Sequence, residues 1–193
     1  MSCSDGKAIF GGRFDPIHLG HLEMAYIALS TGLVNHVVFV PTADPPHKHV
    51  SVSYEHRYKM VEIAIANIPE FSVERWEENE RYTVNTWKRY ANKRDWYLLG
   101  SDSFNTILYW YNYELLVKLV NFLIVPRLNI PVRRDILSVV NQYYIAEPCK
   151  VAVSSTDIRR WIKKGKRLGS IVPEGVLKYI EENGLYGSNN HRR

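Results

Sequence analysis

Short apolar runs of strand length alternate with longer helical patterns along most of this chain, and that alternation restricts the fold more than any other feature. Residues 8–10 read as a first strand, followed by a helical segment over 19–30 that stops at Gly32. Further strands are expected at 36–40, where β-branched residues run up to Pro41, and at 71–73, 96–99, 121–125 and 143–146. Apolar spacing predicts helices over 54–68 (capped by Ser53), over 84–92, from about 103, and over 132–142. Two more, at 156–164 and 174–183, close the sequence. Parallel strands need crossover connections, so repeated strand–helix units imply a parallel sheet covered on both faces. The expected fold class is α/β, a Rossmann-like doubly wound parallel sheet forming a single domain over 1–193. Ligands of such sheets lie beyond the carboxyl ends of the strands, so the loops after the strands are where chemistry is expected.

Composition narrows the function classes. The 193 residues are 46% hydrophobic and 23% charged, ordinary values for a globular protein. No apolar run approaches the roughly 20 residues needed to cross a bilayer, and residues 1–7 are polar without the architecture of a signal peptide. Cys3 and Cys149 offer neither a bridging framework nor metal-ligand spacing, so a cytoplasmic location is expected. The net charge of +5 suits a protein that handles polyanionic small molecules. The basic residues Arg159, Arg160, Lys163, Lys164, Lys166 and Arg167 read by default as a solvated face, and neither nucleic acid nor membrane is expected as a partner. Oligomeric state is not legible.

The most informative segment is Gly11-Gly12-Arg13-Phe14-Asp15-Pro16-Ile17-His18-Leu19-Gly20-His21. Two glycines directly after a strand let the backbone approach a ligand and present N–H groups to it. The helix that follows offers its N-terminus to phosphate. His18 and His21 stand one helical turn apart and share a face, with Gly20 leaving room beside them. Taken singly, each histidine reads as an ordinary polar residue at a helix start. A zinc site is a poor fit, because no Glu, Cys or third His stands nearby. The whole string resembles the H-x-G-H signature of the nucleotidyltransferase superfamily, related in fold to class I aminoacyl-tRNA synthetases. Arg13 departs from the Thr or Ser usual there, and two readings stay open for it: a contact to ATP, or solvent.

Val153-Ser154-Ser155-Thr156-Asp157-Ile158-Arg159 opens a later helix, where Ser and Thr ordinarily cap free N–H groups. It resembles the I-S-S-T-x-I-R motif of the same superfamily, which implies phosphate contacts from Ser155, Thr156 and Arg159, the last through its planar fork. Three segments between the two motifs resemble the nicotinate mononucleotide adenylyltransferases. Pro41-Thr42-Ala43-Asp44-Pro45-Pro46-His47-Lys48 is similar to their P-x-x-x-P-P-H-K loop. Arg81-Tyr82-Thr83-Val84-Asn85-Thr86 is similar to the S-Y-T-x-D/E-T stretch that recognises the nicotinate carboxylate, with Arg81 in place of Ser and Asn85 in place of the acid. Leu99-Gly100-Ser101-Asp102-Ser103 followed by Trp110 matches a Gly-x-Asp and a Trp that shape the mononucleotide pocket, and Arg127 matches a recurrent arginine.

The resemblance covers residues 10–159 and implies transfer of the adenylyl group of ATP to nicotinate mononucleotide, with release of pyrophosphate. Catalysis is then expected from His18, His21 and Arg159, and ATP binding also from Gly11, Gly12, Arg13, Phe14, Ser155 and Thr156. The acceptor falls to Asp15, His47, Lys48, Tyr82, Thr83, Gly100, Asp102, Trp110 and Arg127. The nucleophile is already an anion, since the second phosphate pKa is about 6, and no Asp/Glu cluster suggests a protein cage for metal, so Mg²⁺ is expected to ride mainly on ATP. Nicotinamide mononucleotide, phosphopantetheine and a non-catalytic nucleotide-binding module remain as alternatives.

Overall fold

The computed structural model describes residues 6–43 and 51–191. Six strands form one all-parallel sheet in the order β3-β2-β1-β4-β5-β6, with β1 Lys7–Gly12, β2 His36–Pro41, β3 Phe71–Val73, β4 Trp96–Gly100, β5 Asn121–Val125 and β6 Gln142–Ile145. The crossovers carry α1 Leu19–Ser30, α2 Tyr54–Ile65, α3 Thr83–Tyr90, α4 Ser101–Phe104, α5 Tyr113–Leu119 and α6 Arg134–Leu137. Two helices follow the sheet, α7 Ser155–Lys163 and α8 Glu174–Glu182. The fold is thus the expected Rossmann-like α/β class.

Side chains alternate across a strand, so β1 feeds two cores. Ala8 and Phe10 join a layer with α1, α2, α7 and α8, including Met24, Met60, Ile158 and Ile180. Ile9 joins the opposite layer with α3 and α5, including Trp87, Leu116 and Tyr97. Strand order reverses between β1 and β4, and there the ladder is short. β1 pairs with β2 along six residues but with β4 only at Ala8↔Trp96 and Ile9↔Tyr97. Beyond Ile9 the two strands part, and a crevice opens at their carboxyl ends.

Three helical expectations are corrected. The helix expected to reach Ile68 stops at Ile65, because Pro69 holds the residue before it out of helical conformation. The helix expected from about 103 is broken into α4, a 3₁₀ turn at Ile107–Tyr109 and α5, with Asn112 in left-handed conformation (φ 51°) at the joint. The helix expected over 132–142 shrinks to α6, since the β-branched Val139 and Val140 lead out of it and Asn141 N–H donates to the Val117 carbonyl instead.

Candidate active site

The parted ends of β1 and β4 open into a cavity of about 690 Å³. One wall is the loop after β1, bringing Gly11, Gly12, Arg13, Phe14, His18 and His21. The start of α7 faces it with Ser154, Ser155 and Thr156. Arg81, Tyr82 and Thr83 at the start of α3, with Gly100, Asp102, Trp110 and Arg127, form the other end.

His18 is the N-cap of α1 and only 1% exposed. Its Nδ1 accepts from Gly20 N–H at 3.1 Å, while His21 Nδ1 accepts from His18 N–H at 3.2 Å. This is a capping box made of two histidines. The rings lie 3.8 Å apart at 31°. An imidazole that accepts at Nδ1 and is neutral carries its proton on Nε2, so both rings present an N–H away from their own backbone. Burial, then the charge of Arg127, pushes the His18 pKa down to about 3. Burial also holds His21 well below the usual histidine value, with His18 and Arg127 adding to the effect. The pair is a neutral double donor. The space that Gly20 leaves is filled by the protein: a Cβ there would meet the His18 ring at 3.1 Å and the Val151 carbonyl at 3.4 Å.

The loop after β1 is held from behind by Arg57, a fully buried residue of α2. Its guanidinium donates to the carbonyls of Arg13 and Thr42, each at 2.7 Å, and of Ala43 at 3.1 Å. Phe14 turns into left-handed conformation (φ 47°), so its ring packs edge-on to Phe10 and His21. Asp15 is fully buried and does not line the cavity. Its carboxylate accepts from the Tyr186 hydroxyl and from Ser51 N–H, both at 2.8 Å. Arg159 lies on the same side, donating to the Asp15 carbonyl at 2.7 Å and to Thr156 Oγ1 at 3.2 Å. It lines a second hollow of about 340 Å³ with Ser51, Arg160, Lys163, Lys164 and Tyr186, separate from the main cavity.

The two phosphate-type loops are tied together. Ser155 Oγ donates to the Pro16 carbonyl at 3.0 Å. Glu23 of α1 accepts from Lys150 N–H, Val151 N–H and the Cys149 thiol, which fixes the approach to α7. Ser154 caps α7 by accepting from Asp157 N–H.

At the other end, Asp102 accepts from Arg127 Nε at 3.1 Å. That pair takes the room beside Gly100, where a Cβ would collide with the Asp102 carboxylate. Trp110 donates through Nε1 to Thr106 and meets Tyr97 edge-on, and Tyr82 stacks on Tyr111 at 4.1 Å. Arg13 and Arg81 both line the cavity, and burial followed by the charge of Arg159 lowers the Arg13 pKa. His47 and Lys48 lie outside the described residues.

Sequence reading missed Glu77, Tyr97 and Arg57. Glu77 lines the cavity, accepts from Thr86 Oγ1 at 3.0 Å and Thr42 Oγ1 at 3.1 Å, and has its pKa pushed up to about 7 by burial. Its position just after β3 was a usable signal, obscured by the charged run 74–81 around it. Arg57 stands four residues before Val61 on the buried stripe of α2, and a cation there was the other signal.

Residues 9–161 match the model of the cytidylyltransferase-like family, so the fold is that of a nucleotidyltransferase. The chain is 36% identical over 189 residues to a "Probable nicotinate-nucleotide adenylyltransferase" of Coprothermobacter proteolyticus, covering 95% of this chain and 96% of that one. It is 37% identical over 185 residues to a protein of the same name from Thermus thermophilus, covering 92% and 97%. The chain belongs to the nicotinate-nucleotide adenylyltransferase family. Among solved structures, the fold is similar to that of Plasmodium falciparum nicotinic acid mononucleotide adenylyltransferase complexed with NaAD, with a TM-score of 0.80 at 24% identity over 95% of this chain and 98% of that one.

Proposed function

We infer that the chain joins the adenylyl group of ATP to nicotinate mononucleotide, giving nicotinate adenine dinucleotide and pyrophosphate. The observation that carries the reading is the close, tilted pair of neutral imidazoles, both with Nε2–H free of their own backbone hydrogen bonds, opposite the N-terminus of α7. A 5′-phosphate oxygen of the acceptor attacks the α-phosphorus in line. The new P–O bond forms as the bond to the β-phosphate oxygen breaks, and its electrons leave with pyrophosphate. No general base is needed. The protein's work is alignment of two anions and stabilisation of the charge that grows on the leaving group. His18 and His21 suit it because a buried neutral donor needs no charge desolvated before ATP arrives. Ser155, Thr156 and Arg13 extend the phosphate side; Gly100, Asp102, Trp110 and Arg127 serve the acceptor, with the backbone N–H groups of Tyr82 and Thr83 toward its carboxylate. Gly11, Gly12 and Phe14 shape the wall between them; by resemblance Arg159 serves ATP and Asp15 the acceptor, and the contact between the two braces the loop from behind. We assign His47 and Lys48 to the same substrates by resemblance alone.

Magnesium enters as part of the ATP substrate. Among the described residues, no three His, Cys, Asp or Glu side chains group to hold a metal ion, and triphosphate oxygens supply its ligands. No helix of the described residues is long and apolar enough to cross a membrane, and a cytoplasmic enzyme is the reading we adopt.

Pyrophosphate release from ATP, measured with each acceptor in turn, tests the function. Release is expected with nicotinate mononucleotide, more weakly with its amide, and not with phosphopantetheine. His18→Asn keeps a capping acceptor while removing the Nε2–H donor, and is expected to lose about 10²–10³ in turnover at little cost in stability. His18→Ala should lose the same turnover and also about 1 kcal/mol through the cap. Near-full turnover in His18→Asn, or release with phosphopantetheine alone, overturns the reading.

A further inference from the structure

The start of α3 already holds a carboxylate. Glu80 Oε1 accepts from Tyr82 N–H at 2.9 Å and from Asn85 Nδ2 at 3.2 Å. Tyr82 is the N-cap of α3 and has no side-chain cap of its own, so Glu80 supplies the negative group that a helix N-terminus favours. Arg81, Tyr82 and Thr83, which follow it directly, line the cavity. Glu80 is also near enough to Glu77, a cavity residue, to raise its pKa, while Glu80 itself stands behind Tyr82 rather than in the cavity lining.

We propose that Glu80 is a specificity-determining residue: it occupies the Tyr82 amide that an acidic acceptor would use, and so narrows the preference for a carboxylate-bearing pyridine over its amide. The inference rests on the acceptor reading given above. A substrate carboxylate seated at the start of α3 has a like charge close behind the Tyr82 backbone and finds the Tyr82 N–H already taken, which leaves that of Thr83. A carboxamide in the same place is neutral, meets no such repulsion, and has a carbonyl that accepts from Thr83 N–H. A repulsive element of this kind shifts a ratio of substrates more than it shifts either binding alone. Asn85 belongs to the device, since a donor at that position holds the Glu80 oxygen where an acid would push it away.

The test measures kcat/KM for nicotinate mononucleotide and for nicotinamide mononucleotide separately, in the unmutated protein, Glu80→Gln and Glu80→Ala, with the KM for ATP beside them. Glu80→Gln keeps a carbonyl oxygen for Tyr82 N–H and removes the charge, so the start of α3 stays formed. The acid-over-amide ratio is expected to rise about tenfold in both variants, the size of effect that removing one like charge beside a partly exposed site produces, with the KM for ATP unmoved. A ratio that stays within about twofold, or falls, overturns the assignment. If the unmutated protein uses neither mononucleotide, the acceptor reading fails first and the Glu80 assignment falls with it, an outcome visible before any variant is made.

Discussion

Glu77 makes the floor of the cavity sensitive to pH near neutrality. Burial raises its pKa to about 7, against the opposing hydrogen bonds from Thr86 and Thr42. A carboxyl whose folded pKa lies above its unfolded value of 4.5 contributes stability that is fully present below pH 4.5 and is lost as pH rises through about 7. The whole effect is on the order of 3 kcal/mol. His18 acts in the opposite sense at lower pH: its folded pKa of about 3 lies below the ordinary 6.5, so its contribution is present above 6.5 and is lost as pH falls toward 3. A variant therefore isolates Glu77 better than the wild-type profile does. Glu77→Gln, compared with the unmutated protein by thermal unfolding, is expected to gain stability at pH 8 relative to pH 5. A difference between the two proteins that is constant from pH 5 to 8 would show that Glu77 does not titrate in this range.

At the scale of elements, α1 supports both phosphate-type loops at once. His18 and His21 cap its first turn, and one turn on, Glu23 gathers the backbone just before α7. Glu23→Gln turns an acceptor oxygen into an NH₂ that faces an N–H donor. It is expected to cost about 1–2 kcal/mol of stability and to raise the KM for ATP several-fold while leaving the KM for the acceptor in place, which initial-rate kinetics in each substrate would read. The elements themselves were largely legible. Strand-length apolar runs placed all six strands, and the motif helices α1 and α7 began within a residue of expectation. What periodicity hides is the partnering of polar groups far apart in sequence. The contacts of Arg57 with Arg13, Asp15 with Ser51 and Tyr186, and Glu23 with Lys150 each join different elements, and no local pattern announces them. For the same reason the motifs of Asp15 and Arg159 speak of ligands but not of the contact between these two residues, where Arg159 donates to the Asp15 carbonyl and lies 3.7 Å from its carboxylate.

In the molecule as a whole, the two halves of the sheet meet over a cavity whose rim Arg57 braces from behind. Arg57 grips the carbonyl after β1 and two carbonyls after β2, and the C-terminal turn reaches the same neighbourhood through Tyr186 and Asp15. The loops it grips belong to different tasks. Arg13 stands on the phosphate side, whereas Thr42 reaches Glu77 and through it Thr86 of α3, on the acceptor side. A shared brace gives the two substrates a common free energy. ATP should tighten the acceptor's binding by some factor, and thermodynamic reciprocity then obliges the acceptor to tighten ATP by that same factor. Equilibrium titrations with a non-transferable ATP analogue, with and without the mononucleotide, measure it from both directions. Arg57→Lys replaces a fork with a point charge that cannot span three carbonyls, and it should bring the factor toward one even where each substrate still binds alone. The enzyme would then have two working sites and no conversation between them.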